Sequence, residues 1–453
     1  MRVKISDILK ATGGKLLCGD EAVAVTSFFT DSRQAKAGAM FVPIRGERAD
    51  GHDYIPAVLE SPAAATFTDH EIPLGEKPIV LVKDCREALQ KAAAWYREQF
   101  AIPVVGVTGS VGKTTAKEMV AQALTAKFRV LKTAGNQNSQ VGVPITVCGL
   151  KKDHTAAVVE MGVSMPGEMA RIAAVVKPTC AVMTNIGVSH IEFMKTRENI
   201  LKEKAHIADY IPVDGALFVN GDDDLLPTLK ETLGGKVVTF GLGPTCDWRA
   251  YGLNEADKGT FFTCLSPAGE KTEVFVPAAG EHNVRNALAA MAVARYLGVP
   301  AEDAVRAISA YKAPAMRQQV VEAGGLLIID DSYNASPDSM RSAIDVLATR
   351  PVTGKRAAVL ADMLELGRLE EAAHLEIGRL AAQLGVDLVL AYGPAARLYV
   401  QGAEEAGGQA RHFETKAALL QALQGTLRPG DVVWFKGSHS MALEEVLEGL
   451  YTA

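Results

Sequence analysis

Lys113 closes a short glycine turn, Gly109-Ser110-Val111-Gly112-Lys113-Thr114-Thr115, and of all residues in this chain it is best placed for chemistry on a phosphate. An apolar run, Ile102 to Val107, reads as a buried strand ahead of the turn. The pattern from Ala116 to Leu124, with Met119, Val120 and Leu124 on one side, reads as a helix behind it. Strand, glycine turn and helix N-terminus in that order make an anion cradle: backbone N–H groups and the helix dipole converge on the anion, Lys113 adds a point charge, and the hydroxyl of Thr114 can hold Mg²⁺. The usual phosphate loop has about four residues between its first glycine and the Gly-Lys pair. Here that first position is Val107, so the turn is a shorter form that begins at Thr108. Nucleotide binding is the expectation; a glycine turn without a ligand is the plain alternative.

Other side chains could join this site. Glu160 ends an apolar run in Val-Val-Glu-Met-Gly, where its carboxylate could complete a Mg²⁺ shell begun by Thr114, since Mg²⁺ prefers hard oxygen ligands. A helix-start charge is the other reading of Glu160. His190 follows the run Ala181 to Ile186, which brings an imidazole toward the same region, although a structural histidine would look the same. Lys202, Glu203 and Lys204 sit on a helical pattern that also fits a solvated face, and composition does not single out Lys204. The segment His282 to Asn286 opens an Ala-rich helix, Ala287 to Ala294, where an imidazole and amides could meet a purine; N-capping by Asn283 is equally natural. Arg317 lies in a hinge, where a guanidinium could reach a γ-phosphate or simply be solvated.

The elements that must position these residues follow from composition and pattern. At 453 residues, 48% hydrophobic and 22% charged, the chain is an ordinary globular sequence of several domains. Its net charge of −6 argues against a general nucleic-acid or membrane-surface binder. The six cysteines contain no C-x-x-C pair, which favours reduced thiols, a cytosolic setting and no zinc framework. No export signal opens the sequence, and no stretch reaches the ~18 apolar residues of a membrane span, so no integral membrane contact is expected.

Three α/β segments are expected. Residues 1–98 mix short strands, such as Met40 to Pro43 and Ile79 to Val82, with helices, ending in a helical pattern from Glu87 to Phe100. Residues 99–314 alternate strands and helices, with strands at Val104 to Thr108, Ala156 to Met161, Ala181 to Ile186 and Ala216 to Asn220. That is the pattern of a parallel sheet covered on both faces, whose ligands sit beyond the carboxyl ends of the strands. Gly109, Glu160, Asn185 and Asn220 fall at such ends. Residues 315–453 form a second doubly wound, Rossmann-like unit without a phosphate turn of its own. Its strands are expected at Leu326 to Asp330, Arg356 to Leu360, Asp387 to Ala391, Arg411 to Phe413 and Asp431 to Phe435, with a last helix at Met441 to Leu450. A cleft between two such units suits a two-substrate reaction that must exclude water.

Taken together, the motifs resemble the Mur ligase family over essentially the whole chain. Asp31-Ser32-Arg33, Phe41-Val42-Pro43 and Asp50-Gly51-His52 are similar to the family's uridine-diphosphate-binding domain. Thr108 to Thr115, Gly135-Asn136-Gln137-Asn138, Glu160-Met161-Gly162, His190, Lys202 to Lys204 and Glu281-His282-Asn283 are similar to its central ATPase domain. Asp330-Asp331-Ser332-Tyr333-Asn334-Ala335, Asp362 to Gly367 and Lys436-Gly437-Ser438 are similar to its C-terminal domain. The Asp-Asn-Pro-Arg box of the diaminopimelate-adding branch is missing, which favours the branch that takes D-alanyl-D-alanine.

The resemblance implies an ATP-dependent amide ligase of peptidoglycan precursor synthesis, cytoplasmic and monomeric. It would join D-alanyl-D-alanine to UDP-N-acetylmuramoyl-tripeptide through an acyl phosphate; a sister amide ligase of the folylpolyglutamate type is the alternative. By resemblance, one Mg²⁺ falls to Thr114 and Glu160. A second falls to His190 and a carbamylated lysine, assigned to Lys204 with Lys202 the alternative by register. Arg317 becomes the γ-phosphate clamp and Asp331 the ribose ligand, with His282, Asn283 and Asn286 as the adenine site. Asp31, Ser32, Arg33, Asn136 and Asn138 would face the nucleotide-sugar peptide, and Asn334 the dipeptide.

Overall fold

The computed structural model describes residues 1–46, 49–256 and 258–451. They form four sheets, the largest of nine strands. Its parallel part runs Val237–Gly241, Ala216–Asn220, Cys180–Met183, Val104–Thr108, Ala156–Glu160 and Val130–Lys132, with the phosphate-turn strand in the interior. All five residues of Val104–Thr108 are buried, as are all five of Ala156–Glu160, because helices cover both faces. The register sets Glu160 beside Val107 and Met183 beside Thr108, so three strand ends open on one rim.

The remaining strands of this sheet, Trp248–Ala256, Gly259–Leu265 and Lys271–Val276, form an antiparallel extension at one edge. The sequence reading places no strands there. Phe262 and Cys264 face inward while Phe261 is exposed, a two-residue alternation without the apolar runs that mark the parallel strands. The face behind the phosphate turn is closed by the helices Lys113–Leu124 and Glu281–Tyr296, whose Met119, Val120, Val284, Leu288 and Met291 share one core.

The third sheet has six strands in the order Gln319–Ala323, Leu326–Asp331, Val432–Lys436, Arg356–Ala361, Leu388–Tyr392 and Ala410–Phe413, parallel except for the first pair. Five of these strands fall where expected to within a residue or so at either end; Gln319–Ala323 was not expected. The last helix begins at Glu444 rather than Met441, since His439–Met441 makes a separate turn. Separate cores pack against the two faces of the sheet.

The first residues form a five-stranded sheet ordered Lys15–Cys18, Ile79–Leu81, Ala65–Thr68, Ala39–Phe41 and Ser27–Phe29, with a small ribbon pairing Val3–Lys4 and Ala24–Val25. Helix Cys85–Arg97 joins this sheet to the central one. It starts two residues earlier than the Glu87 expected, because the Asp84 carboxylate accepts from Glu87 N at 2.7 Å and caps it. Its Tyr96 hydroxyl donates to Leu150 O at 2.8 Å. The buried Arg97 donates to Val176 O at 3.0 Å and Phe100 O at 2.6 Å, so one guanidinium satisfies the end of the helix Glu168–Val176 and the loop after its own helix. Arg97→Met should therefore leave buried acceptors unpaired and cost about 2–4 kcal/mol, read as a lowered midpoint in urea unfolding at unchanged slope.

Candidate active site

A cleft of about 1650 Å³ lies between the carboxyl rim of the central sheet and the third sheet. Ser110 to Thr115, Glu160, Asn185, His190 and Asn220 line it from the central side; Arg317, Asp331, Tyr333, Asn334 and Lys436 line it from the other. The phosphate turn is shaped by its neighbours. Gly109 has φ +148°, and a Cβ there would stand 1.9 Å from Thr184 Oγ1, so only glycine fits. Thr184 Oγ1 donates to Val111 O at 2.5 Å. This inward turn accounts for the strand ending at Met183 instead of the expected Ile186. Asn185 braces the turn twice, accepting from Ser110 N through its backbone carbonyl (3.0 Å) and from Val111 N through its side-chain oxygen (2.8 Å). The sequence reading placed Asn185 in the crevice but gave it no role; its position one residue beyond a strand-end threonine was the available signal.

Lys113 donates to Gly109 O at 2.9 Å and Ser110 O at 3.2 Å. Burial lowers its basicity, the Glu160 carboxylate raises it, and the Arg317 charge lowers it further. Thr114 Oγ1 donates to Glu160 Oε1 at 3.1 Å, and Asn138 Nδ2 donates to the same oxygen at 2.7 Å. The other oxygen, Glu160 Oε2, is buried and has no hydrogen-bond partner among the described residues. A buried anionic oxygen left in that condition is costly, and a hard cation beside the Thr114 hydroxyl would satisfy it. The residues present thus fit a Mg²⁺ ion here. Glu160 does not start a helix; the helix Glu168–Val176 begins later, capped by Gly167.

Arg317 is not a solvated hinge residue. Its guanidinium lies 3.8 Å from the Tyr333 ring centroid and donates to Thr114 Oγ1 at 3.3 Å, joining the two walls of the cleft. Its neighbours Met316 and Gln318 both have left-handed backbone, with φ of 60° and 55°. Asp331 accepts from Lys436 Nζ at 2.6 Å, and Lys436 also donates to Asn334 O at 3.1 Å.

N-capping by Asn283 is not what forms. Helix Glu281–Tyr296 is capped by Gly280, and Asn283 lies inside it, donating to Ala279 O at 2.7 Å and Gln318 Oε1 at 3.0 Å. Gln318 Nε2 stands 2.8 Å from His282 Nε2, and burial lowers the basicity of that imidazole. His282, Asn283 and Asn286 all line the cleft.

Lys204 and Lys202 differ sharply. Lys202 is exposed. Lys204 is buried, and no hydrogen bond or ion pair engages its amine among the described residues. Burial, then the Lys113 charge, push its basicity well below that of an ordinary lysine, against the pull of Glu203 and Glu168. Glu203 between them accepts from Gly167 N and Met169 N, each at 2.7 Å.

Four of the expected substrate residues lie elsewhere. Asp31, Ser32 and Arg33 follow the strand Ser27–Phe29 on the first sheet and do not line this cleft. Arg33 grips Asp31 at 2.9 and 2.7 Å and lowers the Asp31 carboxyl to about 2. Asn136 is exposed and also lies outside the cleft lining. On the same first sheet His52, Asp69 and His70 have metal-ligand proximity. There, however, the Arg45 guanidinium already pairs with Asp69 and Asp50, so the group compensates its own charge.

A phosphate turn facing a second doubly wound sheet across one cleft is the arrangement of a nucleotide-dependent enzyme. Three family models match in order: "Mur ligase family, catalytic domain" at residues 25–97, "Mur ligase middle domain" at 107–294 and "Mur ligase, glutamate ligase domain" at 316–439. The chain belongs to the Mur ligase family. It is 37% identical over 435 residues to a Bacillus subtilis (strain 168) protein named UDP-N-acetylmuramoyl-tripeptide–D-alanyl-D-alanine ligase, covering 95% of this chain and 94% of that one. A crystal structure of MurF from Acinetobacter baumannii superposes with a TM-score of 0.92 at 31% identity, covering 100% of this chain and 99% of the other. The MurF ligase of Thermotoga maritima in complex with ADP gives 0.83 at 29%, covering 94% and 97%.

Because Asn185 holds the turn through a side-chain oxygen, Asn185→Ala should weaken ADP binding by about 1–2 kcal/mol, or roughly 5- to 30-fold, measured by isothermal titration.

Proposed function

We propose that this protein is an ATP-dependent peptide ligase that joins D-alanyl-D-alanine to UDP-N-acetylmuramoyl-tripeptide in peptidoglycan precursor synthesis, releasing ADP and phosphate. The tripeptide carboxylate attacks the γ-phosphate to give an acyl phosphate and ADP; the dipeptide amine then attacks that carbonyl and phosphate leaves. The observation that carries this reading is the cleft itself, where the Lys113 turn and the Thr114–Glu160 pair face Arg317 and Asp331 from the opposite wall. The first sheet, matched at 25–97 by a Mur family model, favours a nucleotide-sugar substrate over folate.

We assign each residue the role that the family resemblance implies, supported for the cleft residues by their placement. Lys113 lies against the β- and γ-phosphates, and Arg317, stacked on Tyr333, clamps the γ-phosphate from the opposite wall. His282, Asn283 and Asn286 hold adenine, and Asp331, oriented by Lys436, takes the ribose. Magnesium, when bound, neutralises the phosphate oxygens. Thr114 and Glu160 would hold one ion, and His190 with a carbamate on Lys204 would hold the second. Burial without a partner favours Lys204 over Lys202: a neutral amine adds CO₂, forming an N–C bond and losing a proton, and the product is an oxygen ligand. Asn138 and Asn136 face the peptide, Asn334 the dipeptide, and Asp31, Ser32 and Arg33 the uridine diphosphate. Residues 1–98, 99–314 and 315–453 then serve the nucleotide sugar, ATP and the dipeptide in turn. Six free cysteines support a reaction in the cytosol.

Lys113→Ala should lower turnover by at least ~10²–10³ while the unfolding midpoint stays put, read by coupled ADP release; near-normal turnover would remove the assigned role. Lys204→Ala should lose activity that short carboxylates partly restore. Full activity in the untreated variant would remove Lys204 and point to Lys202 or to no carbamate.

A further inference from the structure

The segment Asp362 to Gly367 of the third domain has no part in the scheme above, yet it reaches the central domain. Glu365 Oε2 stands 2.5 Å from His190 Nδ1. Both residues have left-handed backbone without being glycine, with φ of 61° and 60°. Outliers of this kind persist where the surroundings impose them and concentrate at functional positions. The imposition is visible here. Met363 N donates to Nε2 of the buried His374 at 3.1 Å, and Leu364 N donates to Ser438 Oγ at 3.0 Å. Asp362 is held at both ends, its carboxylate by Ala396 N at 2.7 Å and its carbonyl by Ser438 N at 3.1 Å. Two residues on, Gly367 has φ +53°, and a Cβ there would come within 3.4 Å of the Glu192 side chain, so the two loops meet closely.

A metal-binding imidazole ordinarily gives its other N–H to a carboxylate, which fixes the tautomer and the ring plane. His190 makes that bond through Nδ1, which leaves the Nε2 lone pair on a ring that lines the cleft. The carboxylate comes from a different domain. We infer that Glu365 is the positioning residue of His190, so that the site His190 contributes to is complete only when the third domain is docked. This rests on the two-metal reading above and adds a coupling to it: the loop that belongs to the dipeptide domain orients a ligand of the ATP domain.

The test uses the full chain with ADP, titrated with Mn²⁺ and followed by electron paramagnetic resonance. Wild type should bind two ions. Glu365→Ala should weaken one of them by about tenfold or more and leave the other unchanged. Glu365→Gln, whose amide oxygen still accepts from Nδ1–H, should recover part of the loss. His190→Ala combined with Glu365→Ala should be no weaker than His190→Ala alone, because both act through one ligand. Wild-type constants in Glu365→Ala would reduce the contact to an interdomain tie and overturn the inference alone, as would equal weakening of both ions. A single ion in the wild type would remove the two-metal reading and the inference together.

Discussion

A carboxylate buried with one oxygen satisfied and the other bare is the constraint around which the central domain is organised. Glu160 Oε1 has Thr114 and Asn138, while Oε2 has no partner among the described residues. Such a group is tolerable only where positive charge is close, and the protein supplies it on rigid elements. The strand ending at Glu160 is pinned by Thr133, whose hydroxyl accepts from Glu160 N at 2.9 Å. Thr133 is pinned in turn by the buried Lys117, which donates to its carbonyl at 2.8 Å. Lys117 stands on the same helix as Lys113 and Thr114, so the cation, the hydroxyl and the carboxylate are fixed relative to one another by a single closed circuit.

The third sheet, in physical terms, brings a further charge and a second surface to that circuit. Arg317 stacks on Tyr333 of its own side and reaches Thr114 of the other. Stacking restricts the guanidinium before any ligand arrives, so less freedom is lost on binding. The linker achieves this with left-handed backbone at Met316 and Gln318, and Gln318 also engages His282 and Asn283. One short segment thus joins the candidate adenine site, the phosphate site and the third domain.

Much of this was legible in the chain because buried parallel strands write themselves as apolar runs. Val104–Thr108, Ala156–Glu160 and Ala216–Asn220 were located that way, and the turn after the first of them announced the site. The antiparallel edge from Trp248 to Val276 was not legible, since its half-exposed strands alternate and carry no run. Long-range pairings were equally silent. Nothing local to Asn185 says that it braces residues 110 and 111, and nothing local to Glu365 says that it faces His190, 175 residues away. Lys204 is the intermediate case: the helix Arg197–Ala205 shows mixed lysines, and only tertiary burial separates Lys204 from Lys202. The family resemblance supplied a role for Lys204 that spacing alone could not, and none for Asn185 or Glu365.

The thiols carry a practical consequence. Burial pushes Cys85, Cys148, Cys180 and Cys264 up to about 12, and Cys246 to about 11. At neutral pH these sulfurs stay protonated and are poor nucleophiles, and among the described residues no cysteine lines the cleft. Electrophilic warheads of the maleimide or acrylamide kind therefore find no anchor beside the reacting groups. A compound designed to block this protein must draw its grip from shape and from charge matched to the lysines, arginine and carboxylates on the two walls.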